Sequence, residues 1–293
     1  MTNRFPTLPP VTLPHRSGRL IVVGDLHLDH FIRAGGDPFA DHGLDRLDWK
    51  GIDAMIVAGD LIDMPSLNWP MALKHLTRFL PAKRIAVFPG NHDFYHYDLS
   101  SEVTLQAMTK AARMIYAQKR ELRHGKTRIF CCTLWTDFAL ADDPAAATAE
   151  AAHYMMDYRL ITTGGQPGGA RGRLIRPDDL LALHHDHRDW LEAALSTPHF
   201  AGAEGETVVI THHGPHPATA GSMDALTAAF HSDLGDIIAR HRPDRWLFGH
   251  SHRRLTATVG RTEIRNISIG YPREPRFPGD HPLIDLCLIE TEG

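Results

Sequence analysis

Residues 19–27 read RLIVVGDLH, and this stretch decides how the rest of the chain is interpreted. Its apolar run, residues 20–23, is short, rich in Val and Ile and closed by a glycine, which is typical of a buried β-strand. A carboxylate, Asp25, and an imidazole, His27, follow at once. The stretch therefore predicts a strand that delivers two polar side chains to one edge of a sheet.

The same form recurs along the chain. Apolar runs at residues 54–58, 84–88, 207–210 and 245–248 are followed by GDLID (59–63), GNHD (90–93), THHGP (211–215) and GHSH (249–252). The first three runs lie one β-α-β unit apart, which favours parallel strands, and ligands bind where the carboxyl ends of such strands meet. One such motif alone is better explained as an ordinary turn. All of them together, each after a strand, predict a polar site at one sheet edge.

The remaining elements suggest a layered α/β sandwich. Further strands are predicted at 127–133, 264–269 and 283–289, and the last two suggest a second, more antiparallel sheet packed on the first. Helices are predicted at 69–79, 100–124, 144–152 and 177–195. We expect one domain over residues 1–293, in which residues 94–206 form a largely helical insertion that covers the site. The Gly-rich stretch 162–172 is expected to be a mobile loop.

Composition limits the function classes. The 293 residues carry a net charge of −4, which provides no overall basic field for nucleic acid and favours a small substrate. No apolar run approaches the roughly 20 residues of a membrane span, and residues 1–19 lack the apolar core of a signal peptide, so a cytoplasmic location without membrane attachment is expected. The spacing of the cysteines, Cys131, Cys132 and Cys287, fits neither a disulfide framework nor a metal site.

The ordered motifs D-x-H, G-D, G-N-H-D, H and G-H-x-H, from Asp25 to His252, resemble the signature of the calcineurin-like metallophosphoesterases. The resemblance implies a four-layer α/β/β/α sandwich of two mixed sheets with flanking helices, a dinuclear metal centre, and hydrolysis of phosphomonoesters or phosphodiesters. Segments 133–138 and 155–161 look like those of a subgroup of uncharacterised bacterial members, which would make the insertion a shared lid. The resemblance implies no particular substrate.

Carried over by position, the resemblance implies two ligand sets. Asp25, His27 and His252 would hold one metal and Asn91, His212 and His250 the other, with Asp60 bridging them. His92 would be the general acid, and Asp63 would support it as in the protein phosphatase branch. Met64 and Pro65 stand where that branch has Arg-Gly, and Leu28 replaces its Gly after His27, so a dedicated protein Ser/Thr phosphatase is disfavoured.

The chemistry of these side chains agrees with that assignment. Oxygen and imidazole ligands without a thiolate suit Mn, Fe, Zn, Ni or Mg, and no closer identity follows. Only Asp25 and Asp60 among the proposed ligands carry charge, so two divalent ions would leave the site positive and attract an anionic ester. The nucleophile is expected to be a metal-bound hydroxide, with His92 protonating the leaving alkoxide.

Several residues have open roles. Asp93 either orients a ligand or caps a turn. His213 competes with His212 for the metal, although His212 fits the family pattern better, and His213 could otherwise bind the substrate. Arg159 and Arg173, within a local basic cluster, could bind the phosphate, or could simply lie in a solvated loop. Mid-helix His184, His185 and His187 are expected on the surface or in packing contacts.

Alternative functions also stay open. They are a nuclease or cyclic nucleotide phosphodiesterase, a non-catalytic metal-binding protein, and a metallohydrolase that cleaves an amide or lactone. The acidic charge argues against a nuclease, and the complete set of ligands argues against a non-catalytic protein. The absence of a His-x-His-x-Asp-His motif argues against the third. The sequence does not decide between a monoester and a diester, the native metals or the oligomeric state.

Overall fold

The computed structural model describes residues 7–140, 143–165, 172–224, 226–275 and 277–293. The strands are β1 Leu8–Thr12, β2 Arg19–Val23, β3 Ala54–Ala58, β4 Ile85–Phe88, β5 Ile115–Tyr116, β6 Arg120–His124, β7 Thr127–Cys132, β8 Thr162–Thr163, β9 Arg173–Leu174, β10 Glu206–Thr211, β11 Arg245–Phe248, β12 Thr256–Val259, β13 Thr262–Asn266 and β14 Leu288–Glu290. The α-helices are α1 Leu28–Ala34, α2 Pro38–Asp41, α3 Pro65–Leu76, α4 Glu102–Ala111, α5 Pro144–Tyr154, α6 Asp157–Leu160, α7 Pro177–Leu195, α8 Gly235–His241 and α9 Leu283–Cys287.

Two large mixed sheets form the centre of the molecule. One has the order β1-β6-β7-β10-β11-β13-β12, the other β14-β2-β3-β4-β5, and β8 and β9 form a small separate ribbon. Within the second sheet β2, β3, β4 and β5 are parallel, and β14 pairs antiparallel with β2. Strands β7, β10, β11 and β13 are parallel in the first sheet. The expected pair of mixed sheets with flanking helices is confirmed.

Side-chain alternation along the strands explains the layers. Leu20 and Val22 of β2 pack between the two sheets against Val208 and Ile210 of β10. Their sequence neighbours point the other way because successive side chains of a strand face opposite sides. Val209 of β10, for example, packs in the core formed with helices α7 and α8. Burial on both faces is why these strands are continuous apolar runs.

The prediction of one helix over residues 100–124 is wrong. Helix α4 ends at Ala111, β5 pairs with β4, and β6 pairs with both β1 and β7. Gly125 is not a helix cap but belongs to the two-residue turn of the β6–β7 hairpin, where its φ is +56°. A glycine with positive φ serves either purpose, so the local sequence does not distinguish them.

The prediction of a strand over residues 283–289 is also wrong in its first part. Residues Leu283–Cys287 form α9, because Leu283, Leu286 and Cys287 are buried at helical spacing while Ile284 is exposed. Only β14 is extended, and it joins the sheet of β2 rather than a separate antiparallel sheet. Strand β13 lies in the other sheet.

The segment 94–206 is more than a helical addition. It contributes β5 to one large sheet and β6 and β7 to the other, whereas α5, α6 and α7 lie outside the sheets. Residues 166–171 of the predicted mobile loop, including Arg171, lie outside the described residues. None of the described helices combines the length and the apolar character that crossing a membrane requires.

Candidate active site

The loops that follow the parallel strands are joined to one another by backbone hydrogen bonds. Asp25 N donates to Gly59 O at 3.1 Å and His27 N donates to Asp60 O at 3.0 Å, which ties the loop after β2 to the loop after β3. Gly24 forms a parallel bridge with Ser268, beyond β13 of the other sheet. The carboxyl ends of strands from both sheets therefore meet at one place.

The backbone of these loops adopts a conformation that side chains other than glycine rarely take. Positive φ angles occur at Asp25 (57°), His27 (38°), Asp60 (55°), His250 (65°) and His252 (52°). Residues held in this region cost free energy, on the order of 1 kcal/mol or more each, and tend to cluster at functional sites. All five of these residues were predicted from sequence as metal ligands.

A first group of ligand atoms comprises Asp25, His27 and His252, which lie within 4.8 Å of one another. His252 Nε2 is 3.4 Å from Asp25 Oδ1, and the Nε2 atoms of His27 and His252 are 3.2 Å apart. Both oxygens of Asp25 also accept from the backbone N–H of His250 at 2.9 and 3.1 Å. The imidazoles therefore converge on a buried carboxylate.

A second group comprises Asp60, His212 and His250, again within 4.8 Å. His212 Nε2 lies 3.3 Å from Asp60 Oδ1 and 3.0 Å from Asn91 Oδ1. All of these side chains are almost fully buried. The seven side chains predicted as ligands are thus brought into two adjoining groups.

Asp60 lies between the two groups. Its Oδ1 faces His212 Nε2 at 3.3 Å, while its Oδ2 faces His27 Nε2 at 3.7 Å. A carboxylate with one oxygen toward each group has the arrangement required of a bridging ligand.

Glycines provide the space for these carboxylates. A Cβ on Gly90 would lie 2.7 Å from the Asp60 backbone N and 2.6 Å from His212 Cε1, and a Cβ on Gly249 would lie 2.5 Å from Asp25 Oδ2. Gly59 has φ +85° and the same crowding against His212. Glycine is needed before Asp60, Asn91 and His250 because the neighbouring chain approaches so closely at these positions.

The outer nitrogens of two ligand imidazoles have fixed partners. His212 Nδ1 lies 2.9 Å from Ala58 O, and His252 Nδ1 lies 2.9 Å from Glu274 Oε2. Such contacts set the tautomer that leaves Nε2 free for a metal. Within the described part of the chain, buried His250 Nε2 and His27 Nδ1 have no hydrogen-bond partner.

The protonation of the imidazoles tests whether the group fits a cation. Burial, aided by neighbouring imidazoles, lowers the pKa of His27 and of His250 well below the ordinary value, so both are neutral as ligands must be. Burial lowers the pKa of His252 as well, but Asp25 and Glu274 outweigh it and raise this pKa to about 10. A proton there supplies the positive charge that a bound cation would supply. The donor set therefore fits divalent metal ions.

His92 lies beside the two groups. Its Nδ1 is 2.8 Å from Asp63 Oδ1, and its backbone N–H donates to Asp60 Oδ1 at 2.9 Å. Its Nε2 lies 3.2 Å from the Tyr271 hydroxyl. Burial lowers the pKa of His92, but the carboxylates of Asp60 and Asp63 outweigh burial and raise it, which favours a proton on the ring near neutral pH.

Sequence reasoning missed three residues. Asp157, on α6, accepts from Asn91 Nδ2 at 2.9 Å and from the Tyr95 hydroxyl at 2.7 Å, and so directs the amide oxygen of Asn91 toward His212. Glu274 supports His252, and Tyr271 contacts His92. No spacing rule identifies them, since each comes from a segment remote in sequence from its partner.

The open role of Asp93 has a clear structural answer. Its carboxylate accepts from the backbone N–H of Leu61 and Ile62, from the Gly90 N–H and from Trp69 Nε1, at 2.9 to 3.3 Å. It therefore joins the loop after β3 to the loop after β4 and holds Asp60 in place.

The three residues predicted for substrate binding lie in different surroundings. The His213 ring is buried and packs 4.1 Å from the ring of His250. Arg173 forms a two-pronged pair with Asp179, with both distances 2.7 Å, and Arg159 donates to His153 O at 2.6 Å. A role in substrate binding stays a prediction for each.

The histidines of α7 behave in two ways. His184 and His187 are buried, and His187 Nδ1 accepts from Leu134 N at 3.0 Å, so these rings pack the helix against the loop after β7. His185 is exposed. None of the three belongs to a group of ligand atoms found among the described residues.

Fold and site together define a class of protein, one that gathers candidate metal ligands at the shared edge of two packed sheets. The family profile described as calcineurin-like phosphoesterase matches residues 18–254, and the chain belongs to this family. It is accordingly a metal-dependent phosphoester hydrolase. A comparison with curated proteins finds no match.

One solved structure shares the fold, and another resembles the chain less closely. The crystal structure of phosphopantetheinyl hydrolase from Mycobacterium tuberculosis superposes with a TM-score of 0.63 at 17% identity, over 87% of this chain and 92% of that chain. A protein of Thermus thermophilus gives a TM-score of 0.46 at 12% identity, over 85% and 88% of the two chains. At these identities the likeness concerns the fold alone.

Proposed function

We propose that the chain hydrolyses small phosphate esters with two divalent ions that share Asp60. Asp25, His27 and His252 would complete the first ligand set, and Asn91, His212 and His250 the second. The observation that carries the proposal is the position of Asp60, whose two oxygens face imidazoles of different groups at 3.3 and 3.7 Å.

The protein's own residues perform three tasks in this proposal. Divalent ions supply Lewis acidity, which lowers the pKa of water and neutralises charge on phosphoryl oxygens. The carboxylates and neutral imidazoles hold the ions, and Asp157, Glu274 and Asp93 keep the ligands oriented. Because the ligands include only two carboxylates, Asp25 and Asp60, the loaded site attracts an anion.

His92 would act as the general acid. A water oxygen would bond to phosphorus as the ester P–O bond breaks, and the leaving oxygen would take the electron pair of that bond and the Nε2 proton of His92. Asp63 accepts from Nδ1 at 2.8 Å, so the transferable proton sits on Nε2. Asp63 is therefore a positioning residue for the acid.

The helical part of segment 94–206 would cover the site within a single domain. The contact that supports this role is Asp157 of α6, which reaches Asn91 from outside the two sheets. The identity of the ester is a question for a substrate panel. Phosphomonoesters, phosphodiesters, nucleotides, single-stranded DNA and a phosphopantetheinyl-bearing protein belong in it, the last because of the name of the Mycobacterium tuberculosis protein.

The experiment compares D60N with wild type for bound Mn and for hydrolysis of bis-nitrophenyl phosphate and nitrophenyl phosphate. We expect wild type to bind two ions per chain, and D60N to lose bound ions and activity on both esters. The control is D178N, the same change at an exposed carboxylate outside both groups. Full metal content and full activity in D60N would contradict the proposal, as would an active wild type with a single ion.

A further inference from the structure

Tyr271 is held over the site by the loop that follows β13. Gly270 N donates to Asp25 O at 3.1 Å, and Tyr271 N donates to Glu274 Oε2 at 2.9 Å, the same oxygen that contacts His252. The Tyr271 ring stacks on His27, with centroids 4.4 Å apart and planes inclined by 29°. The position of the ring is therefore determined by residues of the site itself.

The Tyr271 hydroxyl lies 3.2 Å from His92 Nε2. Since Asp63 is acceptor-only when ionised, the 2.8 Å contact at Nδ1 places a proton on that nitrogen. In the neutral imidazole Nε2 is then an acceptor, and the tyrosine O–H donates to it. In the imidazolium the direction reverses, and Nε2–H donates to the tyrosine oxygen.

A tyrosine hydroxyl can both donate and accept, and with an ordinary pKa of about 10 it stays protonated near neutral pH. A phenol of this kind can hydrogen-bond either form of His92 without giving up its proton to it.

We propose that Tyr271 is a positioning residue for the general acid, because its hydroxyl, 3.2 Å from Nε2, fixes the orientation of the His92 ring until the leaving oxygen replaces it as the partner of Nε2. The inference rests on the role of His92 in the proposed function. When the P–O bond breaks, the Nε2 proton and the electron pair of that bond both go to the leaving oxygen. The bare Nε2 then accepts from Tyr271, and solvent water returns the proton to His92.

The variant Y271F removes the hydroxyl and keeps the ring that stacks on His27. We expect kcat on phenyl phosphate, which has a poor leaving group, to fall about tenfold, while kcat on nitrophenyl phosphate stays near wild type. KM and bound metal should not change. H92A should show a larger fall in kcat on phenyl phosphate than on nitrophenyl phosphate. Adding Y271F to H92A should not lower kcat further.

A second measurement does not depend on turnover. In the metal-free protein, the ¹⁵N resonance of His92 Nε2 should move in Y271F, because its hydrogen-bond partner is lost. Y154F is the matched control, since Tyr154 is 61% exposed and the same hydroxyl is removed there. This control should leave both the resonance and the leaving-group dependence unchanged.

The outcomes separate the two proposals. Equal losses on both esters in Y271F, additivity with H92A, or an unmoved Nε2 resonance would overturn the inference alone. If H92A itself lost equal activity on both esters, the acid role of His92 in the proposed function would be wrong, and the inference about Tyr271 would be wrong as well.

Discussion

At the scale of single residues, the site depends on glycines as much as on its ligands. Gly90 precedes Asn91 and contacts Asp60 and His212 so closely that a methyl group has no room. Its N–H also donates to Asp93 Oδ2 at 2.9 Å. Because the two loops approach so closely, we expect that only glycine at position 90 allows the ligands to bind metal.

G90A tests this requirement. Because the new Cβ would press on both Asp60 and His212, the ligands must separate, and we expect Mn affinity and phosphoesterase activity to fall by at least about tenfold, the effect of a lost supporting contact. Equilibrium dialysis and initial rates measure this. The control is G260A, where φ is +62° but the surrounding space is open. That variant should lose stability by about 1 kcal/mol and keep its metal affinity, and unchanged affinity in G90A would refute the argument.

At the scale of elements, one buried carboxylate joins the two sheets away from the site. Asp53 precedes β3, and its Oδ2 accepts from Arg16, Ser17 and Gly18 N–H groups, each at 2.9 Å. The same oxygen lies 3.1 Å from Nε2 of His124, the last residue of β6 in the other sheet. Asp53 therefore fixes how the chain enters β2 relative to β6.

The hydrogen bonds of the Asp53 carboxylate predict that the free energy of unfolding depends on pH. Burial raises the pKa of Asp53, but the backbone donors Arg16, Ser17 and Gly18 outweigh it and bring the pKa down to about 2. In the unfolded chain the pKa of an aspartate is about 3.9. The ionised Asp53 carboxylate therefore adds on the order of 2 kcal/mol to the free energy of unfolding above that pH. The contribution is lost as pH falls through the folded pKa.

Urea unfolding of D53N and wild type measures the effect. D53N should be less stable at pH 7, and the difference should shrink as the pH falls toward 2. D45N, at an exposed aspartate, is the control and should match wild type at every pH. A difference that stays constant with pH would show that the charge of Asp53 is not the stabilising factor.

At the scale of the whole molecule, the proposed ligands extend from Asp25 to His252 and follow strands of both sheets. Binding an ion between them therefore stabilises the packing of one sheet on the other, in addition to the loops. The apolar core between the sheets, with Val22, Ile56 and Val208, includes none of the proposed ligands. The metal-free protein should be folded but less stable.

Calorimetry with and without a chelator checks this expectation. An ion at 100 times its Kd adds about 2.7 kcal/mol to the free energy of unfolding, which should raise Tm by roughly 4 °C in a chain of this size. D60N should show little of this increase. Equal Tm values for loaded and metal-free wild type would mean that the ions do not link the sheets.

Much of the site was predictable because its signals are local. A buried strand, a glycine and a polar side chain are adjacent in sequence, and parallel strands deliver their carboxyl ends to one edge. That logic led from Asp25, Asp60 and His250 to a common site without knowledge of the fold. It also predicted that β2, β3 and β4 are parallel, since they lie about one β-α-β unit apart along the chain.

Elements whose identity depends on distant partners were not predictable in this way. Residues 115–116 and 120–124 form strands because they hydrogen-bond to β4, β1 and β7, although the local sequence also suits a helix. Asp157, Glu274 and Tyr271 reach the site from loops and a short helix whose placement no periodicity encodes. The sequence by itself determined the chemistry of the ligands and the strands that carry them. Only the tertiary structure decided which side chains orient those ligands, because such contacts join segments remote along the chain.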